Sequence, residues 1–168
     1  GLGADAAAQI TGYGAAAAER DADVAVTLAP AEGISLQVSG NMGNASNAYS
    51  VYVGAELGMA TVAASYENGG DDASTGYGAS VAADLGGVSV GADYARNQQD
   101  DSTAVLKAGM GPVSLAYAAA NDGTTDATTT DIYGEYAVGE IAPGAALTLA
   151  AGNSEGSTKL RVKLAYTF

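Results

Sequence analysis

Nineteen carboxylates and six basic side chains are the only formally charged groups among these 168 residues, and histidine and cysteine are absent. That combination removes the usual general base, the thiolate nucleophile and the commonest metal ligands. A serine triad and a histidine-based metal centre are excluded on the same ground. Paired carboxylates could still hydrolyse sugars. Here the acids are scattered over loops and alternating positions, so solvated charge is the better reading. No glycine-rich phosphate loop runs into a helix. The chain is therefore not expected to be an enzyme.

Two further arrangements could do something short of catalysis. Asp71, Asp72, Asp100, Asp101, Asp122, Asp126 and Asp131 lie in polar stretches, where adjacent carboxylates could share Ca2+ through hard oxygen ligands. No EF-hand spacing accompanies them, so charge for solubility and compatibility with lipopolysaccharide explains them better. No cofactor is expected. The basic residues are more informative. Lys159, Arg161 and Lys163 alternate with Leu160, Val162 and Leu164, and Tyr166 and Phe168 continue the apolar phase. A period-two strand with one greasy and one basic face sits between two solvents. About eleven residues of strand also suffice to cross a bilayer at a tilt.

The elements that would position these residues repeat the same alternation. Val24, Val26 and Leu28 share a face, as do Ile34, Leu36 and Val38. Tyr49 to Leu57, Ala60 to Tyr66, Tyr77 to Leu85 and Val88 to Tyr94 continue it. Further strands are expected over 104–110, 113–121, 131–138 and 145–152, giving about eleven from residue 23 onward. Short turns are expected at Pro30–Gly33, Gly58–Met59, Gly86–Gly87, Gly111–Pro112 and Gly139–Gly144. Longer loops are expected near 40–47, 67–75, 97–103, 121–130 and 152–157. Alternating long and short connections describe an antiparallel up-and-down transmembrane β-barrel in a bacterial outer membrane. No run of about eighteen apolar residues supplies a membrane helix.

Within that frame, Tyr49, Tyr66, Tyr77 and Tyr94 form an aromatic girdle beside the long loops, and Tyr166 and Phe168 form one at the other rim. The opposite phase places Lys107, Lys159, Arg161 and Lys163 on a basic wall of the lumen. Arg96 is grouped with them, near the end of its strand. Glu56, Glu67, Asp84, Asp93 and Glu135 share that inner phase. Opposed charges in a pore make a transverse field that discriminates solutes. The plainer alternative is that they pair and stiffen the wall. A net charge of -13 argues against a nucleic-acid partner. Residues 1–22 alternate weakly. They are either a first strand, giving about twelve in all, or a loop.

Three segments resemble the general diffusion porins of alphaproteobacteria, known from purple photosynthetic bacteria. They are the hairpin-like 47–66, the stretch 131–139 (DIYGEYAVG) and the closing 161–168 (RVKLAYTF). The acidic, Ala/Gly-rich, cysteine-free composition agrees, and the likeness spans residues 23–168. The resemblance implies a Gram-negative outer-membrane porin for passive diffusion of ions and small hydrophilic solutes. It implies a homotrimer of sixteen-stranded barrels, of which residues 23–168 would be the last eleven strands. Such porins fold a long acidic loop into the pore opposite a basic wall. Residues 1–22, with Asp5, Glu19 and Asp21, resemble the tail of that loop. The terminal Phe168 resembles the signal read by the barrel-assembly machinery. Alternatives from other classes are a surface or structural barrel without conductance and a soluble all-β binding module.

Overall fold

A computed structural model describes residues 24–40, 48–69 and 75–167. Eleven strands follow one another in a single sheet whose spatial order is the chain order. They are β1 (Val24–Ala31), β2 (Ile34–Gly40), β3 (Tyr49–Leu57), β4 (Ala60–Asn68), β5 (Thr75–Asp84) and β6 (Val88–Asn97). Then come β7 (Ser102–Met110), β8 (Val113–Asn121), β9 (Thr128–Ala142), β10 (Ala145–Ser154) and β11 (Ser157–Tyr166). Every neighbouring pair is antiparallel. The expected strand count, class and up-and-down order are present. No described helix is long and apolar enough to cross a membrane, which does not bear on strands.

The sheet is open. Among the described strands, contacts join only sequence neighbours, so β1 and β11 are its two edges. In an antiparallel meander of eleven strands the first and last point the same way. They cannot close on each other by antiparallel pairing, and the barrel anticipated from the alternation is not closed by these strands. The edge character of β11 shows in its side chains: Leu160 is 81% exposed and Val162 70%.

Two connections differ from expectation. The long loop anticipated at 152–157 is the two-residue turn Glu155–Gly156, because β10 runs to Ser154 and β11 starts at Ser157. Both turn residues have positive φ, 49° and 78°. This is the mirror-image turn whose twist suits a tight hairpin. The alternation of long and short connections therefore stops before the last hairpin. The turn anticipated over Gly139–Gly144 shrinks in the same way, since β9 continues to Ala142. Leu147 faces Gly139 while Thr148 faces Ala137, and Ala145 faces Ala142 while Ala146 faces Glu140. Val138 and Ile141 are thus the extra residues of two bulges, which bend β9 and let it run on past β8.

Register makes the two faces continuous. One row reads Ala83–Val90–Ala108–Leu115–Gly134–Ala151–Leu160, and a neighbouring row reads Val81–Ala92–Leu106–Tyr117–Ile132. Leu, Val, Ile and Tyr fill this apolar face, and most of them are exposed. The other face carries Ser, Thr, Gly, small Ala and the charges. Only Ala95, Val105 and Ala145 are buried hydrophobic residues among those described. A single sheet has no second layer to pack against, so its apolar face has no cover among the described residues.

Candidate functional site

The charged face begins with residues alternating two apart on each strand. On β11 it presents Lys159, Arg161 and Lys163, each paired in register with Gly152, Ala150 and Thr148 of β10. Lys159 and Lys163 are exposed, and Arg161 is half-buried. None of the three makes an ion pair with a described residue. Lys107 lies on the same face but is neutralised: its Nζ is 2.6 Å from Asp93 Oδ2. Asp93 faces Val105 and Lys107 faces Gly91, so this bridge runs diagonally across one strand pair. Both side chains are partly exposed, and the bridge contributes at most about 1 kcal/mol. Lys107 and Asp93 are therefore paired, whereas Lys159, Arg161 and Lys163 have no ion-pair partner among the described residues.

The acidic candidates divide similarly. Glu56, Asp84 and Glu135 all fall on the charged face. Asp84 is committed to its turn, where Oδ1 accepts the Gly86 and Gly87 N–H groups at 3.0 and 3.2 Å. Glu135 accepts from the Tyr133 hydroxyl at 3.0 Å. It shares a row with Ser114, Ala150 and Arg161. Tyr133 is a site residue that sequence reasoning passed over, and its spacing of two from Glu135 was the available signal. Asp5, Glu19, Asp21 and Phe168 lie outside the described residues.

Arg96 corrects the basic-wall assignment. It pairs in register with Tyr77 and stands two residues from Tyr94 on the same face. Counting Val88, Val90, Ala92, Tyr94 and Arg96 already puts it on the apolar phase. Its Nη2 is 2.6 Å from Asp100 Oδ1. The basic residues of the charged face are therefore Lys107, Lys159, Arg161 and Lys163.

The tyrosines anticipated beside the longer connections do cluster. Tyr49 and Tyr66 have ring centroids 6.0 Å apart and Tyr77 and Tyr94 6.3 Å apart, while Tyr66 faces Tyr77 across β4 and β5. Tilted rings at these separations attract through their quadrupoles. Tyr166 lies at the other end of the sheet, opposite Ala145. Tyr136, between Val113 and Leu149, joins it at that end.

Burial on the charged face is uneven. Val105 is 2% exposed, and Ala95, Asn97 and Thr103 are buried near it at the end of β6 and β7 farthest from the tight turns. The Thr103 hydroxyl finds no hydrogen-bond partner among the described residues. Above this cluster two connections are tied together. Asp101 accepts from Asn97 Nδ2 at 2.9 Å through one oxygen and from the Gly123 N–H at 2.9 Å through the other. A Cβ at Gly123 would collide with the Gln99 carbonyl and with Asp100, so only glycine permits this approach. No group of three or more acidic side chains converges among the described residues, and Asp71 and Asp72 lie outside them.

Asp122 shapes the neighbouring loop. Its Oδ1 accepts the N–H groups of Thr124 and Thr125, both at 2.9 Å. These bonds, the Thr125 one first, hold its carboxyl below the ordinary carboxylate value. A depressed folded pKa gives order that is complete above the unfolded value and lost as pH falls through the folded one. Hydrogen exchange at Thr124 and Thr125, corrected for intrinsic rates, should show steady protection above about pH 5 and fading protection below about pH 4. Asp122→Asn should abolish that dependence, and an unchanged profile would sever the link.

No protein-family model, curated protein or solved structure matches this chain.

Proposed function

We propose that this chain forms the wall of an outer-membrane β-barrel pore through which ions and small hydrophilic solutes diffuse passively. The observation that carries this reading is the segregation of side chains across eleven strands. Leu, Val, Ile and Tyr, apart from Val105, Tyr52 and Tyr133, occupy one largely exposed face, whose only described cation is Arg96, and every described Lys, with Arg161, occupies the other. In water, such an uncovered apolar face would aggregate. In a bilayer it meets lipid, and the charged face lines the lumen. The tyrosine cluster then sits at headgroup depth. Antiparallel closure requires an odd number of further strands between β11 and β1, supplied from outside the described residues. A porin-like homotrimer in contact with lipopolysaccharide belongs to the same reading. Catalysis and a cofactor do not.

A filled, non-conducting barrel is the second reading. It is favoured by the buried Ala95, Val105, Asn97 and Thr103 on the otherwise wet face. Single-channel recording of the refolded protein in a planar bilayer separates the two. Discrete, stable conductance steps are expected for the pore. Insertion without steps would favour the filled barrel, and failure to enter lipid would overturn the membrane assignment altogether.

A further inference from the structure

The apolar face does not end uniformly. On β6 to β9 its last row, at the end away from the tight turns, reads Arg96–Ser102–Asn121–Thr128. These are four neighbouring donors on adjacent strands, and Asn121 Nδ2 already reaches Thr128 Oγ1 at 3.3 Å. One row nearer the middle come Tyr94, Ala104, Ala119 and Thr130. The next row is Leu106–Tyr117–Ile132. Two alanines between larger side chains leave a shallow recess directly beneath a row of hydrogen-bond donors. Arg96 is the one described cation on this face.

We infer that this row and recess bind an anionic lipid, its phosphate on Arg96 and the Ser102, Asn121 and Thr128 side chains, and one acyl chain over Ala104 and Ala119. The inference rests on the membrane reading above. An arginine facing lipid is tolerated near the interface and not at the midplane, so the row lies at headgroup depth, where phosphates are. A guanidinium carries five donors in a planar fork suited to phosphate oxygens. Asp100 engages only Nη2, at 2.6 Å, and Arg96 stays partly exposed. Tyr77 and Tyr94 flank the cation. Asp100 is the nearby charge that opposes an anion. Asp122, next to Asn121, directs its carboxylate to its own loop amides.

The test is reconstitution of the full chain in phosphatidylcholine vesicles containing a minority of phosphatidylglycerol, with retained lipids identified by native mass spectrometry. Phosphatidylglycerol should be enriched over its bulk fraction. Arg96→Gln should reduce that enrichment by about fivefold, the weight of one basic side chain at a charged membrane surface. Asp100→Asn, which removes the competing carboxylate, should raise it. Enrichment that is absent in the wild type, or unmoved by both substitutions, overturns the site while leaving the barrel intact. Protein that stays outside the vesicles refutes the membrane reading itself, and the site with it.

Discussion

Exchanging Arg161 and Lys163 together for glutamate is expected, if the proposed pore conducts, to turn its current toward cations. Both residues stand on the charged face of β11, opposite Ala150 and Thr148, with no described carboxylate bonded to them. Their field would therefore act on an ion in the lumen without an ion-pair partner among the described residues. At a few ångströms in water a unit charge is worth about 1 kcal/mol to such an ion. Reversing two should move the cation-to-anion permeability ratio by at least about tenfold. The reversal potential in a salt gradient reads this directly. An unchanged potential in a conducting variant would remove β11 from the conduction path. The same exchange at Lys107 should do less, because Asp93 already offsets that charge.

Leu106→Arg is expected to cost about 2–4 kcal/mol of stability in lipid. Leu106 lies mid-strand, between Ala92 and Tyr117 on the apolar face, and is 58% exposed. A leucine that exposed on a water-facing surface would tolerate arginine within about 0.5 kcal/mol. The two environments therefore predict different outcomes for one substitution. Ser114→Arg, on the opposite face in the row of Glu135, should shift stability by less than about 0.5 kcal/mol. Denaturant titration of the protein folded into vesicles measures both. A neutral Leu106→Arg would refute lipid contact at this face.

The strands were legible because period-two alternation is a local property. Leu160, Val162 and Leu164 against Lys159, Arg161 and Lys163 need nothing distant to be read as two faces. Connection lengths were harder. Glu155–Gly156 closes a tight hairpin inside a stretch whose polar composition resembles a loop. Composition reports solvent, whereas turn type depends on φ signs at two residues. The glycines at 139 and 144 read as the limits of one turn. Bulges at Val138 and Ile141 instead keep the chain paired, a choice made by the partner strand β10. Arg96 was misplaced for a different reason: its charge was weighed above its phase, although the phase was plain.

The element type, the strand count over residues 24–167, the order of two-faced segments and the absence of histidine and cysteine chemistry can all be read along the chain. Those follow from alternation, turn residues and composition, which are local or additive. Only the tertiary structure decided which charges meet. The Asp93–Lys107 bridge and the Asp101–Gly123 tie depend on register between strands and on the approach of separate loops. It also decided that β1 and β11 stay apart. Closing a sheet is a matter of strand direction and number, a property of the whole assembly that no single segment encodes.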